Sequence, residues 1–395
     1  MAKRHIPRLL WGMTDKTSLQ VQIFSRLADV GQEAWDSCAG QENPFVSYAF
    51  LSALEDSGSI GQGTGWYPRY MALRDAQGDV TAVAPSYTKT HSYGEYVFDH
   101  GWAHAFEQAG GRYYPKLQVA VPFSPVPGPR LLTQVVDITG LTDALEASVK
   151  ALNCSSAHVT FCDEAEWQGL GQAGWLQRLG LQFHWENQAY DDFEGFLEAL
   201  SSRKRKAIRR ERREAQAGLT LRALHGSEIT PRLWARFYEF YLSTVERKWG
   251  GAYLTPEFFP LLGERLGDQV VLMLAERNGK PIAGALNVRG GDVLYGRNWG
   301  CTEDVPFLHF ELCYYQAIEY AIAHGLKRVE AGAQGEHKIQ RGYLPKPTYS
   351  AHFIAHPGLR TAVARFLEGE RQSILTTIAA LTQEGPYKAE MNQDS

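Results

Sequence analysis

Residues 332–345, GAQGEHKIQRGYLP, contain four side chains that can carry charge or transfer protons: Glu336, His337, Lys338 and Arg341. Glu336 or His337 could take a proton from a bound substrate, because histidine titrates near neutrality and the pKa of a buried glutamate can be raised to that range. Lys338 or Arg341 could hold an anionic group beside them. We therefore predict catalytic roles for the acid and the imidazole and substrate-binding roles for the two cations. The alternative is a solvated loop in which these charges pair with one another.

A second group of candidates lies in the sequence YGRNWG, which is typical of a strand. Tyr295, Arg297 and Trp299 alternate there, and alternate residues of a strand point to the same face. Two aromatic rings would then bracket a guanidinium, an arrangement that could bind a planar or anionic ligand. We predict a substrate-binding role for all three residues, with ordinary cross-strand packing as the alternative.

Glu311 falls near the apolar edge of a strongly amphipathic segment, beside Ile318 and Ile322 and away from the polar face. A buried carboxylate needs a partner or a proton. Arg297 and Arg341 are the candidate partners, and we predict a catalytic role for Glu311. The alternative is an acid in the first turn of a helix, where it interacts favourably with the helix dipole.

His309 precedes this carboxylate by two positions, and we assign it to substrate binding. His309, Glu311, Glu336 and His337 could be imagined as metal ligands, but their spacing matches no known site, so no metal is expected. The chain also lacks a GxSxG elbow, a Walker motif, an HExxH motif and a dinucleotide fingerprint. The residues therefore do not indicate a covalent nucleophile, and they favour direct reaction between two bound substrates in a preformed cleft.

Residues 203–213, RKRKAIRRERR, carry eight cations and one acid in eleven positions. Cations at that density cannot all be paired within one helix, so the segment presents a positive face. Arg205, Arg209 and Arg212 would share one side, and we predict that they contact phosphate, for example a tRNA backbone, without reading its sequence. The alternative is a solvated face that pairs with acids elsewhere, since the net charge of the chain is −4.

The elements that must position these residues are clearest in the second half of the chain. A helix is predicted over 191–217, and Thr230-Pro231 and Thr255-Pro256 indicate two more helix starts. The strongest helix covers 309–324, with apolar residues at i, i+3 and i+4 and Gly325 as its cap. The predicted strands of this half are 220–224, 270–276, 281–289, 293–300 and 327–331, and a closing helix covers 359–381.

The first half shows a vaguer version of the same order. Helices are predicted at 32–36, 47–56, 141–152 and 164–179. Strands are predicted at 69–74, 80–88, 157–162 and 181–190. Residues 110–129 contain five prolines and are predicted to form a long irregular loop.

Composition narrows the class of protein. The 395 residues are 44% hydrophobic and 21% charged, which is typical of a globular protein with two domains or one large one. A net charge of −4 excludes a strong overall field for nucleic acid, so any polyanion site must be local. No apolar run approaches the roughly 18 residues of a membrane span. The N-terminal segment is basic, but its apolar run is too short for a signal peptide, and we expect a cytoplasmic protein.

Taken together, these residues resemble those of one bacterial family, the FemAB-like proteins, which are placed near the peptidoglycan-building Fem aminoacyltransferases. The resemblance covers residues 22–380 and is carried by NPF (43–45), PFSPVP (122–127), the basic run (203–213), YGRNWG (295–300), FLHFE (307–311), CYYQ (313–316), GAQGEHK (332–338) and RGYLP (341–345). It implies an α/β (α+β) fold of two GNAT-like halves, of the acyl-CoA N-acyltransferase type, with mixed, largely antiparallel sheets flanked by helices. The expected halves are 20–190 and 191–383, facing each other across a cleft, with the active site in the second.

The same resemblance implies an amide-forming acyl- or aminoacyltransferase, in which the amine of a small molecule or peptide attacks an activated acyl donor. Fem relatives take the amino acid from aminoacyl-tRNA. An acyl-CoA donor is less expected, because residues 300–308 lack the glycine-rich turn that cradles pyrophosphate. The alternatives are a non-catalytic module that binds a peptidoglycan precursor or tRNA, and a CoA-dependent N-acetyltransferase. The sequence leaves the oligomeric state open.

Overall fold

The computed structural model describes residues 19–134, 137–248, 251–332 and 335–388. The strands, in chain order, are β1 (Gln20–Phe24), β2 (Trp66–Pro68), β3 (Tyr70–Arg74), β4 (Val80–Ala84), β5 (Ser86–Lys89), β6 (Lys116–Val119), β7 (Leu132–Thr133), β8 (Ser156–Cys162), β9 (Leu176–Glu186), β10 (Thr220–His225), β11 (Val270–Arg277), β12 (Lys280–Gly290), β13 (Val293–Cys301), β14 (Arg328–Glu330) and β15 (Leu344–Ile354). The helices are α1 (Gln32–Ala39), α2 (Tyr48–Asp56), α3 (His100–Gln108), α4 (Thr139–Ala151), α5 (Glu164–Gln172), α6 (Phe193–Ala199), α7 (Ser202–Gln216), α8 (Pro231–Lys248), α9 (Phe258–Leu266), α10 (Leu308–Phe310), α11 (Gln316–Ala323) and α12 (Pro357–Gln383).

The chain forms two compact units, each assembled from two stretches of sequence. The first unit contains the residues up to Leu179 together with Thr348–Arg371. The second contains Gly180–Pro347 and the residues from Gln372 onward. The halves expected from the sequence, 20–190 and 191–383, stay a prediction.

The first unit contains a four-stranded antiparallel sheet in the order β1-β3-β4-β7. A second group of strands runs β8-β6-β5-β2, with β6 and β8 parallel and the other pairs antiparallel. The prediction of one irregular loop over 110–129 is therefore wrong for β6, whose residues are fully paired and buried. Helix α3 was not predicted either.

One predicted helix of the first unit is shorter than expected. The segment 164–179 is helical only as far as Gln172, because Gly174 adopts a φ of 89° and turns the chain. Trp175 is then buried against the core of the unit, and strand β9 begins at the next residue. The predicted strand 181–190 therefore starts and ends earlier than expected.

The second unit is built on a sheet in the order β10-β11-β12-β13-β14-β9. Strands β10 to β13 are an antiparallel meander, β13 and β14 are parallel, and β14 is antiparallel to β9. Asn278 and Gly279 have φ values of 52° and 73°, as a tight two-residue hairpin turn requires. The strands predicted in this half are confirmed within one or two residues at each end.

The helices of the second unit follow the predictions with three changes. The helix predicted to start at Thr255-Pro256 begins later, at Phe258, with Glu257 in the cap position. The predicted helix 191–217 is interrupted at Leu200 and Ser201 and forms α6 and α7. The predicted helix 309–324 is continuous, but its Glu311–Tyr315 turn is a π turn between α10 and α11. Gly325, with a φ of 64°, follows the end of α11 as expected. Such π turns are often found at functional sites.

The described helices include none that is both long enough and apolar enough to cross a bilayer.

Candidate functional site

The stretch with four ionisable side chains follows β14 and forms a 3₁₀ turn, Glu336–Arg341. The turn divides the four predicted residues into two pairs. Glu336 and His337 are exposed, whereas Lys338 and Arg341 are 2% and 7% exposed. The acid and the imidazole are thus accessible to a substrate, and the two cations lie beneath them.

The imidazole of His337 is held in place despite its exposure. Its Nε2 lies 2.9 Å from the Tyr314 hydroxyl, on the π turn of the second unit. Burial raises the pKa of Tyr314 well above its ordinary value, so the phenol stays neutral at physiological pH. The Phe310 ring lies 5.6 Å from the imidazole, between ring centres. The imidazole is therefore oriented by one hydrogen bond and by ring contacts.

The same rings connect the turn to strand β13. The His309 ring lies 5.2 Å from the Trp299 ring, 5.3 Å from Tyr314 and 6.2 Å from His337. We call Trp299, His309, Phe310, Tyr314 and His337 the aromatic cluster. It brings together three predicted site residues from β13, from the start of the helix and from the 3₁₀ turn.

The other two predicted residues of β13 do not share a face with Trp299. Ala285 pairs with Trp299, but Asn287 pairs with Gly296, so three steps along β13 oppose two along β12. This bulge breaks the expected alternation. Tyr295 is 4% exposed and forms part of the buried sheet, so the prediction of one alternating aromatic face is wrong.

Arg297 instead lowers the pKa of Glu330, a carboxyl group that the sequence analysis did not single out. Glu330 ends β14 opposite Tyr295 and is 3% exposed. Burial raises the pKa of Glu330 to about 7, although Arg328 and Arg297 lower it. Its Oε1 lies 3.0 Å from Arg328 Nη2. Its Oε2 has no hydrogen-bond partner among the described residues, and His184 Nε2 is 3.9 Å away.

Such a carboxyl changes protonation state near neutrality, which suits a general base. A charged residue inside a three-residue strand was the only sequence signal that could have pointed to Glu330.

Glu311 is fully buried, as predicted, but its partners were not the expected ones. Arg212 Nη2 lies 3.1 Å from Oε1, and Arg212 Nε lies 3.2 Å from Oε2. The amides of Gln216 and Gln316 each donate to Oε1 at 2.9 Å. The expectation that Arg297 or Arg341 pairs with Glu311 is therefore wrong. Its catalytic role stays a prediction, although the contacts favour a structural one.

The basic helix α7 uses two of its three predicted phosphate contacts for ion pairs. Arg212 also binds Glu319 at 2.5 Å and lies 4.3 Å from the centre of the Phe193 ring. Arg209 is exposed and pairs with Glu194. Arg205 is half-buried. The alternative considered for this run, pairing with acids elsewhere in the chain, therefore holds for Arg209 and Arg212, and phosphate contact by the three stays a prediction.

The two buried cations of the 3₁₀ turn also have protein partners. Lys338 Nζ donates to the Gly332 carbonyl at 2.8 Å. Arg341 Nη1 donates to the His337 carbonyl at 2.8 Å, and its Nη2 lies 2.9 Å from the Glu211 carboxylate. Its guanidinium carbon lies 3.5 Å from the Phe310 ring centre. Arg341 thereby links α7, the aromatic cluster and the turn that carries His337.

Comparison with solved structures places this fold among known ones. FemX is similar at 12% identity and a TM-score of 0.54, over 84% of this chain and 98% of FemX. The C-terminal domain of a putative lysylphosphatidylglycerol synthetase from Agrobacterium fabrum is similar at 10% identity and 0.52, over 87% and 96%. A tandem GNAT protein from the clavulanic acid biosynthesis pathway matches at 12% identity and 0.46, over 86% and 99%. The predicted α/β fold class, with mixed, largely antiparallel sheets flanked by helices, is confirmed.

Comparison of the sequence with curated proteins finds no match. A family model does match, over residues 26–389, and it describes the FemAB-like proteins of peptidoglycan biosynthesis or recognition. The match includes the basic helix, the aromatic cluster and the 3₁₀ turn. The chain belongs to the FemAB-like family.

Proposed function

We propose that this protein is an amide-forming aminoacyltransferase whose active site lies in the second unit, around the aromatic cluster. The observation that carries the proposal is the exposed imidazole of His337, oriented by Tyr314 above two buried cations. An oriented, accessible imidazole is the arrangement that proton transfer from an amine requires. Membership of a family described by peptidoglycan biosynthesis or recognition supports a substrate from that chemistry.

The proposed donor is aminoacyl-tRNA, and the proposed acceptor is the amine of a small molecule or of a peptidoglycan-precursor peptide. An acyl-CoA donor is less supported, because the residues that lead into α10 include no glycine after Gly300. Since aminoacyl-tRNA is made and used in the cytoplasm, we place the reaction there.

The reaction joins the amine to the acyl group in one exchange of bonds. The amine nitrogen attacks the ester carbonyl carbon and forms the C–N bond, and the bond from that carbon to the ribose oxygen breaks. A base takes one proton from the nitrogen and returns it to the leaving oxygen. His337 and Glu330 are the two candidate bases, and Glu336 would act only if a substrate covers its exposed side chain.

The remaining predicted residues would orient the substrates. In this proposal Trp299 and His309 provide ring surfaces beside the imidazole, and Arg297 supplies positive charge near Glu330. Lys338 and Arg341 would attract an anionic group of either substrate. Orientation of this kind contributes strongly to reactions between two bound molecules.

The test is a transfer assay with labelled aminoacyl-tRNA and candidate amines, read by product mass. We expect His337→Ala or Glu330→Gln to lower the rate by about 10²- to 10⁴-fold, the usual contribution of a general base. The control is His104→Ala, which removes an exposed imidazole from α3 in the first unit. If both site variants keep the full rate with intact melting curves, neither residue is the base.

The family description also names recognition, which supports a second candidate. In that case the second unit binds a peptidoglycan precursor or tRNA without turnover. Saturable binding with no product in the same assay would favour this candidate over the transferase. Stabilisation by acetyl-CoA in a thermal melt would instead favour a CoA-dependent N-acetyltransferase.

A further inference from the structure

A cavity of about 250 Å³ lies between the basic helix α7 and the 3₁₀ turn. Its polar lining consists of Arg203, Lys204, Glu211, Tyr315, Gln340 and Arg341. None of the three arginines predicted to contact phosphate lines it. Arg203 and Lys204, a different part of the basic run, therefore line the same cavity as Arg341, which donates a hydrogen bond to the His337 carbonyl.

The charge in this cavity is positive. Arg203 is exposed and Lys204 half-buried, and neither has a carboxylate partner in the parts of the chain that the structure describes. Glu211 is the one acid of the lining, and it already accepts hydrogen bonds from Arg341 and from the Tyr315 hydroxyl. Arg341 balances this carboxylate, which leaves the positive charges of Arg203 and Lys204 in excess within the lining.

The start of α7 adds to this positive potential. The first turn of the helix contains Arg203, Lys204 and Arg205 and no acid. Cations at a helix N-terminus are unfavourable, because the unpaired N–H groups there carry partial positive charge. A bound anion would offset both the side-chain charges and the helix end.

Two buried atoms in the lining lack partners. Arg341 Nε, a donor, and Gln340 Oε1, an acceptor, have no hydrogen-bond partner within the described residues. Buried polar atoms in native proteins are normally satisfied. A ligand that satisfies both must offer an anionic or carbonyl oxygen to the arginine and an O–H or N–H to the amide.

We propose that this cavity binds one phosphorylated ribose unit. The phosphate oxygens accept hydrogen bonds from Arg203, Lys204 and Arg341, and a ribose hydroxyl donates to Gln340. A volume of about 250 Å³ is slightly below the range of pockets for drug-sized ligands, which fits one nucleotide and no longer segment. The link between this site and the donor rests on the function proposed above, whereas the affinity for a nucleotide does not.

The test measures binding by calorimetry, with no donor or acceptor present, for AMP, inorganic phosphate and adenosine. We expect saturable one-site binding of AMP, weaker binding of phosphate and the weakest binding of adenosine. Arg203→Gln with Lys204→Gln should lower AMP affinity about 10-fold or more, as expected for loss of charge-assisted hydrogen bonds. The matched control, Lys206→Gln with Arg210→Gln, removes one lysine and one arginine charge from the same helix outside the cavity and should lower AMP affinity less than about 3-fold.

The amide gives a second, independent readout. Gln340→Ala should weaken AMP binding and leave phosphate binding unchanged, because only the ribose donates to it. Equal losses for the two double variants, or no saturable binding of any probe, would overturn the site. Competition against bound AMP by a CCA-ended oligoribonucleotide and by a nucleoside diphosphate then shows whether the nucleotide belongs to a tRNA or to a nucleotide-linked acceptor. Nucleotide binding without transfer would leave this site intact and refute the transferase.

Discussion

The carboxylate of Glu311 has no contact with solvent and depends on Arg212 for its charge balance. Gln216 and Gln316 complete its hydrogen bonds. A buried ion pair of this kind contributes little net stability, but the loss of one partner is costly because the other charge stays buried. The pair joins α7 to the π turn, so its loss would act on the helix that lines the nucleotide cavity.

We predict that Arg212→Met lowers the free energy of unfolding by about 3 to 5 kcal/mol. The double variant Arg212→Met with Glu311→Met should recover most of this loss, because it removes the unpaired charge. Arg210→Met, whose arginine pairs with exposed Glu214, is the control and should stay within about 0.5 kcal/mol of the wild type. Urea denaturation measures all three. A double variant as unstable as Arg212→Met would contradict the explanation.

At the scale of elements, two irregular turns create the candidate site. The π turn contains Glu311, Tyr314 and Tyr315, which contact α7 and the 3₁₀ turn. The 3₁₀ turn begins after Gly335, whose φ of 115° directs the chain so that His337 faces Tyr314. A Cβ at position 335 would come within 2.5 Å of the imidazole.

We predict that Gly335→Ala lowers the transfer rate about 10-fold or more, because the added methyl group displaces the imidazole from Tyr314. Gly332→Ala is the matched control. Gly332 also has a positive φ, of 79°, but a Cβ there meets nothing within 4 Å. Both variants should lose about 1 kcal/mol of stability from the backbone conformation alone. Equal rates in the two variants, measured in the transfer assay, would show that the position of the imidazole does not matter.

The sequence could predict the elements whose causes lie within a few neighbouring residues. Asn278-Gly279 and the apolar spacing of α11 act over a few residues, so the meander and the core helix were predictable. The π turn was not, because one inserted residue leaves the apolar stripe nearly unchanged. The bulge near Trp299 was missed because it arises from the pairing of β13 with β12, which the sequence of one strand does not reveal.

The candidate site was only partly predictable. His337, His309 and Trp299 were found from residue type and resemblance, and the structure brings them together. Arg212 lies 99 positions from its partner Glu311, and no local pattern connects them. Glu330 was missed because its altered pKa comes from burial, which the sequence of a three-residue strand does not reveal.

At the scale of the whole molecule, buried titratable groups occur in both units. Burial raises the pKa of Glu95, Glu166 and Glu330 to about 7 each. Burial lowers the pKa of His158 and His184 to about 3 each. A raised carboxyl pKa makes stability fall as pH rises from about 4.5 to about 7, because the native state holds a proton that the unfolded state has lost. A lowered histidine pKa acts oppositely, since stability falls as pH drops below about 6.5.

We predict that the contributions of the carboxyls and of the histidines to the pH dependence of stability largely cancel in the wild type between about pH 4.5 and 6.5. A variant that removes one of these groups should reveal its contribution. Glu330→Gln cannot ionise, so its stability relative to the wild type should rise with pH from about 4.5 to about 7, by up to ~3 kcal/mol. Glu336→Gln, which replaces an exposed carboxyl six residues later, is the control variant with which the pH dependence of stability is compared. Melting temperatures across this pH range measure the difference. A constant difference for Glu330→Gln would mean that its carboxyl is ionised throughout.

The guanidinium of Arg341 has one further consequence. It is a flat, rigid group whose Nη1 donates to the His337 carbonyl and whose Nη2 donates to Glu211, and the Arg341 side chain lines the nucleotide cavity. A phosphate bound to this guanidinium in the cavity would therefore lie at a fixed distance from the backbone that carries His337. The guanidinium would thus fix the distance between the bound phosphate and the base. A donor with a longer or shorter path from phosphate to ester would place its carbonyl out of reach of that base.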